Sequence, residues 1–314
     1  MFPRPDEDFL NIIRNRDEFI LIAHRKCDGD ALSSIRAMGN ILKKSGKKVS
    51  MLADFPLERN IKWMAEGIEE NCECSSDALI ILLDAGDMER TAFPSLFSSH
   101  DYIVIDHHRS TAKTAGSLSS YIVPESPSCT LLVNKVRSAL NIPLDKETAA
   151  FLLAGFMTDT GFFHFISEEQ AEESMAFALE MTRAGAEIYS LYDRLKTSIT
   201  IAETESLAKA LSSIRIIKGG EIITARDESE VNISYLLYPI LLSIENVRLV
   251  CLFKKRGNTI ELGLRAVKGK NVDCAQIAAA FFGGGHTLAS GARFETEDFS
   301  KTANECERKL EKMI

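Results

Sequence analysis

Four short apolar runs in the first half of the chain constrain the fold most strongly, because segments with helical spacing of apolar residues separate them. The runs predict β-strands at Phe19–His24, Lys48–Ala53, Ala78–Asp84 and Tyr102–Asp106. Strands that alternate with helices are typical of a parallel sheet. The first half is therefore predicted to be an α/β domain whose parallel sheet is wrapped by helices.

Apolar periodicity and end signals predict the helices of this domain. They lie at Ala31–Ser45, Cys129–Leu140, Asp145–Met157 and Glu168–Ala184. From Ala186 to Ser212 the pattern predicts one long, polar-rich helix that connects two domains.

The second half has the pattern of β-hairpins. Ile214–Ile217 is expected to pair with Glu221–Thr224, and Val247–Lys254 with Thr259–Ala266. Predicted helices at Cys274–Phe282 and Lys301–Met313 complete a smaller α+β domain. The predicted organisation is a catalytic domain over residues 1–185, a helical linker over 186–209 and a substrate-binding domain over 210–314.

Composition excludes several classes of protein. Of the 314 residues, 45% are hydrophobic, which excludes a disordered chain, and the net charge of −8 argues against a generally basic nucleic-acid coat. No run approaches the roughly 18 apolar residues of a membrane span, and the N-terminus lacks a signal-like run. The seven scattered cysteines favour reduced thiols over a disulfide framework. We therefore expect a soluble, cytoplasmic protein.

Four polar clusters each follow or end an apolar run. Ligands of open α/β sheets bind at the carboxyl ends of the strands, so the clusters should meet in one crevice. Together they supply five acids and three imidazoles: His24, Asp28, Asp30, Asp84, Asp106, His107, His108 and Asp159. Taken singly, Asp28 or Asp30 could be a helix cap, and a histidine at a strand end could be a core residue.

So many carboxylates in one place would repel one another unless a cation compensates them. Asp and His ligands without thiolates suit Mn²⁺, Mg²⁺ or a similar divalent ion better than a structural zinc. The number of ligands leaves room for two ions about 3.5–4 Å apart, an arrangement that binds an attacking hydroxide and a phosphoryl oxygen together.

The four polar clusters, taken in order, resemble the four motifs of the DHH phosphoesterase family. They read H-x-x-x-D-x-D, an aspartate after a strand, D-H-H and T-D-T-G. Phe282–Gly291, with the sequence FGGGHTLASG, resembles the signature of the C-terminal domain that often accompanies that family. The resemblance covers nearly the whole chain. The sequence is most similar to short, two-domain bacterial members that degrade very short oligonucleotides and dephosphorylate 3′-phosphoadenosine-5′-phosphate.

The resemblance implies a centre of two divalent ions, Mn²⁺ with Mg²⁺ or Co²⁺ as alternatives, in which Asp84 bridges the ions. The implied metal ligands are His24, Asp28, Asp30, Asp84, His107 and Asp159. The implied catalytic residues are Asp84, His108, which faces the phosphate, and Asp106, which orients the neighbouring imidazoles. One position departs from the family, because Cys27 stands where proline is frequent, and we expect it to alter the rigidity of the loop.

The glycine motif predicts a binding site for a phosphate or a base, because glycines let backbone N–H groups approach a ligand closely. The segment Cys251–Lys270 holds six Lys or Arg residues and one acid, which favours an anionic ligand. The resemblance places Arg265 as a substrate-binding residue, and its planar guanidinium suits a phosphate. The predicted substrate-binding residues are Arg265, Gly283, Gly284, Gly285, His286 and Ser290.

These features predict hydrolysis of oligonucleotides of about two to five residues to 5′-mononucleotides, by in-line attack of hydroxide in a cleft between the domains. Hydrolysis of 3′-phosphoadenosine-5′-phosphate to AMP is a second expected activity. The expected partners are short oligonucleotides or nucleotide bisphosphates and no membrane, with a homodimer as an open option. Three alternatives stay open. The first is a 3′-nucleotidase or a phosphodiesterase for linear di-adenylate, either of which would use the same site. The second is a pyrophosphatase, although the Ser-Arg-Lys-Lys run of such family members is missing, and the third is a non-catalytic nucleotide sensor.

Overall fold

The computed structural model describes residues 2–108, 116–196 and 199–313, and the chain divides into two units, Met1–Ser198 and Ile199–Ile314. Each unit has its own sheet. The first unit contains α1 (Glu7–Arg14), β1 (Glu18–Ile22), α2 (Gly29–Lys44), β2 (Lys48–Leu52), β3 (Leu79–Leu83), β4 (Tyr102–Asp106), β5 (Ser119–Ile122), α3 (Cys129–Ala139), α4 (Lys146–Asp159), α5 (Glu168–Arg183) and α6 (Ile188–Lys196).

The five strands of the first unit form a parallel sheet in the order β2-β1-β3-β4-β5. The predicted α/β class is confirmed. Strand β2 lies on one side of β1 and β3 on the other, and β4 and β5 follow beyond β3. The order therefore reverses between β1 and β3, and such a reversal opens a crevice at the carboxyl ends of the strands.

Alternate strand residues face opposite sides of this sheet. On one side Leu21, Ile81 and Ile105 pack in a buried core with helices α2, α3 and α4. On the other side Ile22 and Leu82 pack against residues from loops and 3₁₀ turns, which include Met88, Phe93, Leu96 and Phe97. The α-helices thus cover mainly one face, whereas the sequence predicted a sheet wrapped by helices.

The single long helix predicted over Ala186–Ser212 is two helices in the structure, and residues 197–198 of that prediction lie outside the described residues. Helix α6 ends at Lys196, and α7 (Ile201–Ser212) begins after Thr200. The Thr200 hydroxyl accepts the N–H of Glu203, and the Glu203 carboxylate accepts the N–H of Thr200, so a capping box starts the second helix.

The second unit combines a mixed six-stranded sheet with helices. Its further elements are β6 (Arg215–Ile217), β7 (Ile222–Asp227), α8 (Ser234–Leu242), β8 (Leu249–Arg256), β9 (Thr259–Ala266), α9 (Cys274–Ala279), β10 (Gly284–Gly285), β11 (Ala289–Glu295) and α10 (Phe299–Met313). The strand order is β10-β11-β9-β8-β7-β6, in which only β7 and β8 are parallel. Both predicted hairpins are present, and the predicted α+β class is confirmed.

Helix α9 is shorter than the predicted Cys274–Phe282, because Phe282 has a left-handed backbone with φ +58° and cannot continue the helix. Among the helices of the described ranges, none is both long and apolar enough to cross a membrane.

Candidate metal centre and ligand cavity

The loop between β1 and α2 carries the first candidate ligands. Asp28 is the N-cap of α2, and its Oδ1 accepts the N–H groups of Asp30 and Ala31 at 3.1 and 3.0 Å. Its other oxygen, Oδ2, lies 3.7 Å from Nε2 of His24. The buried Cys27 thiol donates to the His24 carbonyl oxygen at 3.0 Å, which ties the loop together. Asp28 thus caps the helix with one oxygen and faces a candidate site with the other.

Asp84 lies directly after β3, with only 2% of its surface exposed. Its backbone is left-handed, with φ +54°, and its N–H donates to the Ile105 carbonyl oxygen at 3.0 Å. Oδ2 of Asp84 lies 3.6 Å from Nε2 of His24, and Oδ1 lies 3.3 Å from Nε2 of His107. The carboxylate thus stands between two imidazoles that come from different strand ends.

The fully buried Asp106 organises the D-H-H segment at the end of β4. Its Oδ1 accepts the backbone N–H groups of His107 and His108 at 2.8 and 3.2 Å, and it lies 2.8 Å from Nδ1 of His108. The hydrogen bond to Asp106 outweighs partial burial and raises the pKa of His108. The contact engages Nδ1 and orients the His108 ring, so Nε2 is the ring nitrogen that can meet a ligand.

Two backbone carbonyls fix the orientation of the other imidazoles. Nδ1 of His24 lies 2.8 Å from the Arg25 carbonyl oxygen, and Nδ1 of His107 lies 3.0 Å from that of Ser126. Because a carbonyl oxygen can only accept, each Nδ1 carries a proton. Each Nε2 therefore faces the carboxylates, and it is the nitrogen that would bind a metal ion after losing its proton.

Asp30 is almost completely buried and binds the start of α3. Its carboxylate accepts the N–H groups of Cys129 and Thr130 at 2.6 and 3.1 Å, and the Thr130 hydroxyl at 2.8 Å. A helix N-terminus favours a negative charge, so these hydrogen bonds offset part of the cost that burial imposes on the charged form of Asp30. Oδ2 of Asp30 lies 4.0 Å from Nε2 of His107.

Asp159 is the last residue of α4, and its Oδ2 lies 3.3 Å from Nε2 of His107. Close packing of α4 on α2 brings this carboxylate near Asp30. At Gly155 a Cβ would lie 2.9 Å from Oδ1 of Asp30, and at Gly29 it would lie 2.5 Å from Oγ1 of Thr158. Only glycine allows this approach without displacing a neighbour.

All six predicted metal ligands and both further predicted catalytic residues thus lie at the carboxyl edge of the sheet. The described residues form three groups of candidate ligands, and within each group the ligand atoms lie within 4.8 Å of one another. The groups are His24, Asp28 and Asp84; Asp84, His107 and His108; and Asp30, His107 and Asp159. Asp84 and His107 each belong to two groups. The carboxylate of Asp84 has two oxygens and is suited to be shared by two ions, whereas His107 offers one nitrogen, Nε2.

The close packing of the aspartates shifts the pKa values of the aspartates and of the histidines beside them. Burial would lower the pKa of His24 and of His107, but the surrounding carboxylates, Asp84 among them, raise each to about 10. Burial and the neighbouring carboxylates raise the pKa of Asp159 to about 6, and for the same reasons that of Asp30 lies well above its ordinary value. Protonated imidazoles thus balance the acids when no metal is bound.

The donor set fits divalent cations. Oδ1 of Asp84 is buried without a hydrogen bond of good geometry from a described residue, and the imidazole that faces it is that of His107, whose Nε2 lies 3.3 Å away. A buried carboxylate oxygen in that position costs free energy unless a cation binds it. Carboxylate oxygens with imidazole nitrogens suit Mn²⁺ and related ions, and the described groups contain no thiolate that would favour zinc.

The predicted substrate-binding residues lie in the second unit. Arg265, Gly283, Gly284, Gly285 and Ser290 line one cavity of about 750 Å³, and Lys254 lines it too. The Arg265 guanidinium lies over the Tyr238 ring, 4.9 Å from its centroid, and donates to the Leu264 carbonyl oxygen at 2.9 Å. Burial and the charge of Arg256 lower the pKa of Lys254, which shows that nearby acids do not fully balance the positive charge around this ammonium group. An anion that binds in the cavity would therefore be stabilised.

His286 and Ser290 shape the turn between β10 and β11. The Ser290 hydroxyl donates to the His286 carbonyl oxygen at 2.7 Å, and the backbone N–H of His286 donates to Ala289 at 2.8 Å. The His286 side chain is exposed. Ser290 therefore uses its donor to hold the turn, whereas the sequence predicted it only as a ligand contact.

Sequence reasoning missed the residues that support the ligands. Gly155, the N–H groups of Cys129 and Thr130, and the Ser126 carbonyl all position a candidate ligand. The Ser-Cys-Thr start of the predicted helix at Cys129 was a usable signal, because such a start offers free N–H groups to an acid. Gly155 gave no comparable signal, since its role depends on a helix distant in the sequence.

Comparisons with known proteins agree with this geometry. Residues 18–156 match the DHH family, N-terminal domain, and this segment contains every predicted metal ligand except Asp159. The chain is 26% identical to the bifunctional oligoribonuclease and PAP phosphatase NrnA of Thermus thermophilus over 294 residues, which cover 90% of this chain and 85% of that relative.

Two solved structures share the fold. An exopolyphosphatase-related protein from Bacteroides fragilis matches with a TM-score of 0.81 at 24% identity, covering 98% of this chain and 96% of the other. Exonuclease RecJ bound to manganese matches with a TM-score of 0.57 at 15% identity, covering 99% and 96%. Residues 18–156 thus form a DHH-family domain, and with the candidate ligand groups at its sheet edge the chain is a metal-dependent phosphoesterase.

Proposed function

We propose that this protein hydrolyses oligonucleotides of about two to five residues to 5′-mononucleotides, and also converts 3′-phosphoadenosine-5′-phosphate to AMP. The observation that carries the proposal is the convergence of three candidate ligand groups on Asp84 and His107. Such a centre suits the cleavage of phosphoesters, in which negative charge develops on the phosphoryl oxygens. The NrnA relative carries both activities in its name, which supports the same pair of substrates here.

Two divalent ions, for which we propose Mn²⁺, would supply Lewis acidity and lower the pKa of a bound water. RecJ, which shares the fold, is described bound to manganese. In the protein, His24, Asp28, Asp30, Asp84, His107 and Asp159 would hold the ions. His108, oriented by Asp106, would donate a hydrogen bond from Nε2 to a phosphoryl oxygen and stabilise its charge.

The second unit supports the preference for short substrates. Its cavity of about 750 Å³ has the size of a site for a small ligand, and Arg265 with the glycine run would bind a phosphate and its nucleotide there. Binding a remote part of the substrate orients the reacting phosphate, so short nucleotides gain the most from such a cavity. Seven free thiols also suit a reducing compartment such as the cytoplasm, which is the location we propose.

The test is a hydrolysis panel with Mn²⁺, in which a labelled dinucleotide, linear di-adenylate, a 24-mer, 3′-phosphoadenosine-5′-phosphate and pyrophosphate are compared. We expect rapid hydrolysis of all dinucleotides and of the bisphosphate, and slow hydrolysis of the 24-mer and of pyrophosphate. Equal rates on the 24-mer and the dinucleotide would contradict the length preference.

The same panel separates the alternatives. Activity on linear di-adenylate alone would identify a dedicated phosphodiesterase, and activity on pyrophosphate alone a pyrophosphatase. Nucleotide binding without hydrolysis of any substrate would identify a sensor. Asp84→Asn is the control for contaminating nucleases, because it should remove the activity that belongs to this centre.

A further inference from the structure

Phe282, in the second unit, is an aromatic residue whose side chain does not pack in the core. Phe282 is 98% exposed, and its backbone lies in the left-handed region with φ +58°. That region is sterically unfavourable for a bulky residue. An exposed phenyl ring also gains nothing from burial. The backbone strain thus costs free energy of folding that the exposed ring does not offset, and strain of this kind is concentrated at functional sites.

The preceding residue shows what a phenylalanine contributes when it serves the fold. Phe281 is 6% exposed, its ring centroid lies 6.5 Å from that of Phe294, and Nζ of Lys309 lies 4.7 Å from it. Two consecutive phenylalanines therefore have opposite environments. Phe281 anchors α9 to the sheet, whereas Phe282 presents its ring to solvent.

The turn itself requires neither the ring nor its strain. A Cβ at Gly283 would lie 2.1 Å from the Gly291 carbonyl oxygen, so β11 fixes the path of the chain at that point. The residue before Gly283 must follow this path with a positive φ. A glycine would adopt that conformation freely, so the phenyl group is an addition that the backbone geometry does not need.

The ring lies at a cavity equipped for an anion. Phe282 lines the same 750 Å³ cavity as Arg265, Lys254 and the backbone of Gly283–Gly285. Positive side chains suit a phosphate, and an exposed aromatic face suits the flat surface of a nucleobase. A nucleotide joins these two chemical features in one molecule.

We propose that Phe282 stacks on the nucleobase of the nucleotide that this cavity binds. The inference rests on the proposed function, because it takes a nucleotide as the ligand. Stacking uses the π face that every base has, so it selects nucleotides over phosphates without a base and discriminates little among the four bases. Phe282 would thus determine which class of phosphate compound the second unit accepts.

The test measures binding to the full chain by calorimetry with excess chelator present, so that metal-dependent binding does not contribute. The probes are AMP and ribose 5-phosphate. We expect Phe282→Ala to weaken AMP binding by roughly 5- to 150-fold, the range that loss of a stacked aromatic produces, and to leave ribose 5-phosphate binding unchanged. Phe282→Trp should retain AMP affinity, and Phe282→Leu should lose it.

Two controls separate stacking from general effects. Ile216→Ala removes another exposed apolar side chain of the second unit, 71% exposed on β6, and should leave AMP binding unchanged. Phe282→Gly relieves the backbone strain, so it should raise the urea midpoint of unfolding while it weakens AMP binding. A loss of stability in Phe282→Gly would show that the ring supports the fold and would overturn the proposal.

The remaining outcomes distinguish this inference from the proposed function. Equal AMP affinities of the wild type and Phe282→Ala, or no AMP binding by the wild type, would overturn the stacking role even if Mn²⁺-dependent hydrolysis of dinucleotides were found. AMP binding that depends on Phe282, in a protein that hydrolyses none of the panel substrates, would support the inference and contradict the proposed function.

Discussion

The polar groups of the first unit are buried side chains at the ends of strands, whereas those of the second unit include backbone groups of glycines on an exposed turn. Asp30, Asp84 and Asp106 are at most 2% exposed, and other parts of the chain orient each of them. Gly284 and His286 are exposed. Because the carboxylates of the first site are buried, each of their charges must be balanced by a neighbour or a bound cation. Substitutions at this site should therefore abolish hydrolysis almost completely, whereas substitutions in the cavity of the second unit should reduce it in part.

The largest expected effect belongs to Asp84→Asn. Asparagine tolerates the left-handed backbone that Asp84 adopts, so the variant should fold, but it lacks the negative charge that two candidate ligand groups share. We expect hydrolysis of the dinucleotide to fall by about 10³-fold or more, several kcal/mol of transition-state stabilisation. Initial rates, calorimetric Mn²⁺ titration and circular dichroism check this expectation.

Asp87→Asn is the matched control for that variant. Asp87 is an exposed acid three residues further on, and its carboxylate accepts the N–H of Glu89 at 2.9 Å. Its replacement should leave activity near the wild-type level. Wild-type turnover by a folded Asp84→Asn protein would contradict the two-metal centre and remove the contrast between the units.

The second prediction concerns pH, because the metal must compete with protons for His24 and His107. Both have pKa values of about 10 without metal, so each is protonated at pH 7 to 9 and must lose its proton when its Nε2 binds an ion. The Mn²⁺ affinity should therefore fall as the pH falls, by about 10-fold per pH unit for each proton displaced.

Calorimetry in buffers with different ionisation enthalpies counts these protons directly. We expect proton release on Mn²⁺ binding at pH 8, and none on AMP binding to the cavity of the second unit. A Mn²⁺ affinity that is constant between pH 7 and pH 9 would show that neither imidazole binds an ion through Nε2.

Arg265→Ala tests the other side of the comparison and should have a smaller effect. Charge-assisted hydrogen bonds contribute about 1.5–3 kcal/mol, so kcat/KM for a dinucleotide should fall roughly 10- to 150-fold. Mn²⁺ stoichiometry should not change, because Arg265 lies in the second unit and is not a candidate ligand. Arg265→Lys should recover part of the loss, since it keeps the charge without the planar fork.

The choice of substrate sharpens this test. An aryl phosphate ester has no second nucleotide for the cavity to bind, so its slow hydrolysis should be nearly the same in Arg265→Ala and the wild type. A parallel loss on both substrates, or loss of one Mn²⁺ equivalent, would show that Arg265 supports the fold or the metal centre instead.

The sequence allowed a site residue to be predicted where the position of that residue depends only on the strand that precedes it. His24, Asp84 and the Asp106–His108 segment follow buried apolar runs, and the geometry of parallel sheets brings the ends of such runs to one edge. The candidate ligands could therefore be predicted without a structure. Asp159 is the last residue of a buried, mostly apolar helix, and it reaches the same edge because α4 packs on α2.

The sequence was less informative where the apolar pattern has no clear period. Helix α8 has the sequence SYLLYPILL, in which apolar residues lie on every side and Pro239 stands inside the helix, so the periodicity gave no signal. Strand β11 contains small residues and Gly291, which interrupt the alternation of a strand. Both elements border the cavity, which is why its architecture could not be predicted although its glycine motif could.

Gly155→Ala should have the smallest effect, and it tests whether packing between α2 and α4 sets the position of Asp30. Alanine is the better helix former by about 1 kcal/mol, which favours the variant. Its Cβ would, however, lie 2.8 Å from Cβ of Ser33 and 2.9 Å from Oδ1 of Asp30, and overpacking of this kind costs about 1–3 kcal/mol. We expect a net destabilisation of up to about 2 kcal/mol in urea unfolding.

The effect on metal binding distinguishes a local role at the site from general packing. If Asp30 is displaced, Mn²⁺ should stabilise Gly155→Ala less than it stabilises the wild type, because stabilisation of the folded state by a bound ion rises with the logarithm of its affinity. Gly284→Ala is the control, since a Cβ there meets nothing within 4 Å and lies in the other unit. That control should keep the full stabilisation by Mn²⁺. A Gly155→Ala protein that is more stable than the wild type and equally stabilised by Mn²⁺ would show that the close approach of the two helices does not determine the position of the Asp30 carboxylate.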